Sequence, residues 1–81
     1  MGDSVIIEVR TRIGANFKKI RLRKEMSLRQ LDAVTGLDHS WISKFEKGQV
    51  NFTIETLLRL ASGVQVQLRE LVNFPHSFID E

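Results

Sequence analysis

Hydrophobic residues recur along this chain at the three- and four-residue spacing of α-helices. Ile13, Phe17 and Ile20 form the first such set, and the basic residues between them fall on the other faces of a helix. The pattern predicts a first helix from about Glu8. The preceding β-branched run, residues 5–9, is compatible with an extended start.

Polar capping residues precede three further apolar sets. Ser27, Asp38 and Thr53 stand where side-chain oxygens accept hydrogen bonds from the first free amides of a helix. Gly36 and Gly48 are expected to end the second and third helices, because glycine readily adopts the left-handed conformation found there. The predicted buried faces are Leu28, Leu31 and Val34, then Ile42 and Phe45, then Ile54, Leu57, Leu58 and Ala61.

A short fifth helix is predicted over residues 68–73, before Pro75. The chain is therefore predicted to be all-α, and its 81 residues suit one domain over residues 1–81. The absence of cysteine excludes disulfides, thiolate zinc sites and a thiol nucleophile, and it suits a reducing cytoplasm. The sequence contains no run of about 18 apolar residues, so no membrane-spanning helix is predicted.

Positive charge is concentrated in the first half of the chain. Residues 1–47 hold ten Lys and Arg against six Asp and Glu, whereas residues 48–81 hold two against four. Within residues 10–29, eight basic residues accompany a single acidic residue, Glu25. A polyanion would meet that half first, although a basic helix face that contacts only solvent has the same composition. Charge alone suggests a polyanionic partner without establishing one.

Only three residues, 36–38, connect the predicted second and third helices. So short a connection makes two eight-residue helices cross steeply, as in a helix-turn-helix, here at about residues 27–47. Four apolar residues are expected to hold the two helices together: Leu31, Leu37, Ile42 and Phe45. The polar residues of the third helix then face outward, and they are His39, Ser40, Ser43, Lys44 and Lys47.

Residues 20–71 resemble the XRE family of prokaryotic helix-turn-helix regulators, to which phage lambda repressor and Cro are related. The resemblance lies in Ser27-Leu28-Arg29-Gln30-Leu31, Thr35-Gly36-Leu37-Asp38, Ser40-Trp41-Ile42-Ser43-Lys44-Phe45-Glu46-Lys47-Gly48, and residues 51–61. It implies a compact five-helix lambda repressor-like domain that regulates transcription in the cytoplasm, associated with the nucleoid when bound to DNA. Having no extension beyond a fifth helix, the chain is similar to the single-domain controller proteins of restriction-modification systems.

The resemblance also implies roles for individual residues, with the third helix in the major groove of a double-stranded operator. His39, Ser40 and Lys44 become candidates for base contacts, because their side chains can donate or accept hydrogen bonds at base edges. The alternative for His39 and Ser40 is that they merely cover the helix N-terminus. Candidates for contacts to the DNA backbone are Arg29, Trp41, Ser43, Lys47 and Asn51.

Trp41 has three possible roles: bonding a phosphate, packing on the DNA sugar edge, or covering the second helix. An architectural ion pair is expected between Arg21 and Glu46. Two residues depart from the family pattern. Leu28 replaces a glutamine that reaches a phosphate, so any anchor in the second helix must come from backbone amides or Arg29. Asp32 replaces a small alanine, and we expect its carboxylate to bond the N-terminus of the third helix.

A homodimer on a palindromic operator is expected, because one helix-turn-helix unit reads only a few base pairs. Residues 64–81 are the predicted dimerisation region, since they hold more apolar surface than a small core needs. The predicted interface consists of Val64, Val66, Leu68, Leu71, Val72, Phe74 and Phe78. The alternative is that these residues only close the monomer core.

An enzyme is a poor competitor, because Asp38, His39 and Ser40 are successive residues of a helix and point in different directions. With only His39 and His76 as histidines and no thiolate, a metal site is not expected, and neither is a cofactor or a small-molecule ligand. A more serious rival is a protein-interaction module of the same fold, such as the antitoxin of a toxin-antitoxin pair.

Overall fold

The computed structural model describes residues 2–74, and all regular secondary structure within them is helical. The helices are α1 (Asp3–Arg23), α2 (Leu28–Thr35), α3 (His39–Glu46), α4 (Ile54–Gly63) and α5 (Leu68–Leu71). The predicted all-α class is confirmed. No helix in this part of the chain combines the length and hydrophobicity that crossing a bilayer requires.

Helix α1 begins five residues earlier than the sequence pattern predicts. It starts at Asp3, and the Val5 amide already donates to the Gly2 carbonyl over 3.1 Å. β-Branched residues lower helix propensity only slightly, so the run over residues 5–9 does not stop the helix. An acidic residue in the first turn also interacts favourably with the helix dipole. The result is a helix of roughly 31 Å, against which both α3 and α5 pack.

The predicted caps of the shorter helices are all present. Ser27 accepts from the Gln30 amide over 3.0 Å, and the Gln30 side chain accepts in return from the Ser27 amide over 2.7 Å. Thr53 accepts from the Thr56 amide at the start of α4. Gly36 ends α2 with a φ of 77°, a conformation in which a side chain costs about 1–2 kcal/mol. Each of these signals lies within three residues of the helix end that it marks.

The core is a single cluster to which every helix contributes. Its fully buried side chains are Phe17, Leu31, Ile42, Phe45, Leu60, Val64 and Leu71. Three predicted core residues are instead exposed: Val34 by 64%, Ile54 by 65% and Leu58 by 51%. Of the four residues predicted to form the inner face of α4, Leu57 and Ala61 are buried, whereas Ile54 and Leu58 are not, because the apolar residues of this helix fit two faces. The observed face is Leu57, Leu60, Ala61 and Val64, turned toward α2 and α5.

Helix α5 ends two residues earlier than predicted, and a side chain of α1 holds its last turn. The side-chain Nδ2 of Asn16 donates to the carbonyl oxygens of Glu70 and Leu71, each over 2.8 Å. The last carbonyls of a helix have no donor within the helix, so the Asn16 side chain of α1 provides one. Among the predicted dimer residues, Val64 and Leu71 are fully buried in this monomer and have no surface to offer a second copy. Phe78 lies outside the described residues.

Candidate nucleic-acid interface

Helix α3 is held against the body by its apolar side. Ile42 and Phe45 are fully buried, and the Phe45 ring meets the Phe17 ring of α1 edge to face at 5.6 Å. Gly14 of α1 makes this contact close, since a Cβ there would lie 2.9 Å from the Glu46 carbonyl carbon and closer still to the Phe45 oxygen. The α3 backbone therefore rests directly on α1.

A buried ion pair links the C-terminal end of α3 to α1. Arg21 Nε donates to Glu46 Oε2 over 2.6 Å, and Arg21 Nη2 donates to Oε1 over 3.1 Å. Only 9% and 5% of the two side chains are exposed. Arg21 Nη1 donates further to the Met26 carbonyl over 2.9 Å, which ties the loop between α1 and α2 to the same group. The predicted pair is thus present as a two-pronged bridge, and Arg21 is not available to DNA.

Two carboxylates hold the N-terminal end of α3. Asp38 Oδ2 accepts from the amides of Ser40 and Trp41 over 3.0 and 3.3 Å. Asp32 Oδ2, on α2, accepts from the His39 amide over 3.0 Å, so the first three amides of α3 all have partners. The hydrogen bond that Asp32 was expected to make with α3 is confirmed. Asp32 also contacts the His39 ring, since Oδ2 lies 3.0 Å from Nδ1.

The Asp38 carboxylate is stabilised in its charged form. A hydrogen bond from the Ser40 hydroxyl is the main cause that lowers the pKa of Asp38 below its ordinary 3.8. Desolvation opposes it, while the Trp41 and Ser40 amides and the His39 ring add smaller lowering effects. Asp32, Asp38 and His39 bring possible metal-ligand atoms within 4.8 Å of one another. Their hydrogen bonds to α3 account for this cluster, so we assign it no metal.

The three predicted base readers all lie along one helix. His39 is partly exposed, and Ser40 and Lys44 are exposed. The Ser40 hydroxyl donates to Asp38 and the His39 ring contacts Asp32, so both side chains also belong to the hydrogen-bonded N-terminus of α3. The two interpretations of these residues are therefore compatible: they cover the N-terminus and still present atoms to solvent.

Trp41 packs on α3 itself. Its ring stacks on the Phe45 ring with centroids 5.7 Å apart and planes inclined by 20°, and Phe45 meets Phe52 on another side. The indole remains partly exposed. Within residues 2–74 its N–H has no hydrogen-bond acceptor, and this donor is therefore available to a phosphate.

The other predicted backbone contacts are distributed around α3. Arg29, Lys47 and Asn51 are exposed, and Ser43 is partly buried. Neither Arg29 nor Lys47 forms an ion pair with a described residue, and the same holds for Lys44. Cations without an internal partner are free to pair with an external anion.

Sequence reasoning missed two contributors to this site. Gly14 is a glycine inside a helix, where it costs about 1 kcal/mol relative to alanine, and such a position indicates a close approach. The contact between Asp32 and the His39 ring depends on the angle between α2 and α3. That angle cannot be predicted from the spacing of residues in the sequence.

A family model described as "Helix-turn-helix" matches residues 17–71 of the chain. This chain belongs to the XRE-type helix-turn-helix family. Members of the family are DNA-binding transcriptional regulators of the lambda repressor-like type. The family and the fold class predicted from the sequence are confirmed.

Similar proteins include other regulators. The uncharacterized HTH-type transcriptional regulator y4dJ of Sinorhizobium fredii is 32% identical over 66 residues, which cover 82% of this chain and 86% of that protein. The restriction-modification controller protein C.AhdI from Aeromonas hydrophila is 31% identical with a TM-score of 0.73, over 75% of this chain and 92% of C.AhdI. The clp gene regulator ClgR from C. glutamicum has a TM-score of 0.76 at 20% identity, over 79% and 83% of the two chains, and shows the shared fold.

Proposed function

We propose that this XRE-type protein binds a palindromic double-stranded operator as a homodimer, with α3 in the major groove, and regulates transcription from it in the cytoplasm. One observation carries the proposal. The polar edge of α3 is exposed, while its apolar edge and both of its ends are fixed to the body of the molecule. A rigid helix with an uncovered polar edge suits insertion into the groove.

Within this proposal, His39, Ser40 and Lys44 contact bases, and the surrounding residues grip the phosphates. Lys44 donates to guanine O6 or N7, since an ammonium group has donors only. The phosphate contacts set the register and carry no sequence information directly. They come from Arg29, Trp41, Ser43, Lys47 and Asn51. Leu28 is partly buried and packs against the core, which leaves Arg29 as the polar anchor of α2.

The dimer interface that we propose differs from the one expected from sequence, because two of its residues are inside the monomer. Val66, Leu68, Val72 and Phe74 remain partly or fully exposed. Val72 also lines an open apolar groove whose other walls include Ile6, Val9, Phe52, Ile54 and Leu57. Helix α5 contacts α1 and α4 and has no contact with α3. A second copy seated on α5 and Val72 would leave the polar edge of α3 free for DNA, although Asn51, a proposed phosphate contact, lines the same groove.

The proposal is tested by selecting bound duplexes from a random pool and titrating the best one with salt. A palindrome with half-site centres about 34 Å apart is expected, together with a steep loss of affinity as salt rises, about −0.9 on a log-log scale for each neutralised phosphate. Recovery of no preferred sequence, with weak salt dependence, would instead favour a protein-interaction module such as an antitoxin. Variants of Val72 analysed by sedimentation test the interface separately.

A further inference from the structure

The hydrogen bonds at the start of α3 determine which polar atoms its first turn can offer. Asp32 Oδ2 lies 3.0 Å from His39 Nδ1, and an ionised carboxylate only accepts hydrogen bonds. The Nδ1 atom therefore carries the proton. In a neutral imidazole ring the other nitrogen, Nε2, is then an acceptor. Within residues 2–74, Nε2 has no partner.

The Asp38 carboxylate likewise occupies the only donor of the Ser40 side chain. The Ser40 hydroxyl donates to Asp38 Oδ2, the same oxygen that accepts from the Ser40 and Trp41 amides. A serine hydroxyl has one hydrogen, so only its lone pairs remain for an external group. The side chains of His39 and Ser40 have thus both used their donors inside the protein.

We propose that the first turn of α3 reads an exocyclic amino group in the major groove, N4 of cytosine or N6 of adenine, through His39 Nε2 and Ser40 Oγ as acceptors. The proposal deepens the proposed function and rests on it. Cytosine N4 and adenine N6 are the donors of the major groove, whereas guanine O6 and N7 and thymine O4 are acceptors that two further acceptors cannot bond. Asp32 and Asp38 are positioning residues in this scheme, since they act on the base through His39 and Ser40.

The first experiment measures the His39 tautomer in the full chain without DNA. Imidazole ¹⁵N shifts distinguish the Nδ1–H ring from the Nε2–H ring, and a His76→Gln variant assigns the two histidines. At a pH where the spectrum shows a neutral ring, His39 should be in the Nδ1–H form. Asp32→Ala should shift it toward the Nε2–H form, because Nδ1 loses its acceptor. An Nε2–H ring in the unsubstituted chain would overturn the proposal.

The second experiment removes the amino group from the DNA instead of altering the protein. In the selected duplex, each adenine facing the first turn is replaced by purine, and each cytosine by 2-pyrimidinone. One such replacement should weaken binding about 2- to 10-fold, the value of one hydrogen bond. The His39→Ala variant, which alters a partly exposed side chain, should lose part of that sensitivity.

Asp32→Ala provides the opposite change in base preference. With an Nε2–H donor available, this variant should tolerate guanine at the position better than the unsubstituted chain does, and the change should vanish in a His39→Ala background. Equal binding of amino-free and normal duplexes, with intact affinity elsewhere, overturns this inference alone. Failure to bind any duplex overturns the proposed function and the base preference with it, while the tautomer result stands independently.

Discussion

The ion pair between Arg21 and Glu46 leads to the largest single effect that we predict. Arg21→Ala removes two hydrogen bonds to the carboxylate and one to the Met26 carbonyl. It leaves Glu46 charged and unpaired with 5% of its side chain exposed, and such a buried charge costs about 3–5 kcal/mol. An 81-residue domain has a free energy of unfolding of about 4–12 kcal/mol in total. The variant should therefore retain at most about three-quarters of that stability, and at the lower end of the range none of it.

Urea unfolding followed by circular dichroism measures this change, and the melting temperature should fall by at least ~12 °C. Arg59→Ala is the matched control, because it breaks the exposed Glu55–Arg59 pair at 3.3 Å and should cost less than about 0.5 kcal/mol. The double variant Arg21→Met with Glu46→Leu should regain most of the stability, since no charge is left unpaired. If Arg21→Ala were no more costly than Arg59→Ala, the reasoning would be refuted.

Four further predictions concern packing, DNA contacts, pH and assembly. Gly14→Ala should destabilise the fold by up to about 2 kcal/mol in denaturant unfolding, because its Cβ meets α3 backbone and an overpacking cost of about 1–3 kcal/mol exceeds a gain of about 1 kcal/mol in helix propensity. Lys44→Ala should relax preference at one base position by about 1–3 kcal/mol in competition binding. Lys47→Ala should weaken all duplexes alike and reduce the salt slope by about 1, and equal uniform losses from both would contradict their roles. The pKa of Asp38 is lowered chiefly by the Ser40 hydroxyl, so the charged carboxylate stabilises the fold at neutral pH and this contribution disappears as the pH falls below 3.8 toward the lowered value. The difference in stability between the unsubstituted chain and Asp38→Ala, measured by unfolding at a series of pH values, should stay constant above that range and shrink within it. Val72→Asp should shift sedimentation toward monomer without unfolding the chain, because Val72 is 42% exposed.

The parts of the fold that are coded locally were predictable. Ser27, Asp38 and Thr53 bond amides within three residues of themselves, so their capping roles follow from short-range sequence. The face of α4 was predictable only in part, because Leu57, Leu58 and Leu60 are all apolar and packing against α2 and α5 decides between Leu58 and Leu60. Leu60 is buried and Leu58 exposed.

The candidate site divides in the same way. The residues along α3 were identified from the helix period and from the resemblance, and their base contacts remain predictions. The partner of the His39 ring was not identified, although a bond from Asp32 to α3 was expected. A carboxylate seven residues away reaches Nδ1 only because α2 and α3 cross at this particular angle. A crossing angle depends on the whole core, which a linear pattern does not specify.

Helix α3 is held at both ends by side chains from other helices. We therefore expect substitutions in these contacts to change the affinity for DNA, and substitutions on the polar edge to change the sequence preference. Asp32 of α2 holds its first amide, while Arg21 of α1 holds Glu46 at its last residue. Between these points the body fixes the helix axis, so loss of the C-terminal fastening changes how the whole polar edge meets a groove. The stable double variant Arg21→Met with Glu46→Leu should therefore bind every duplex more weakly while keeping its order of preference. Changes on the polar edge itself should alter that order, because the proposed base contacts lie there and phosphate contacts carry no sequence information directly.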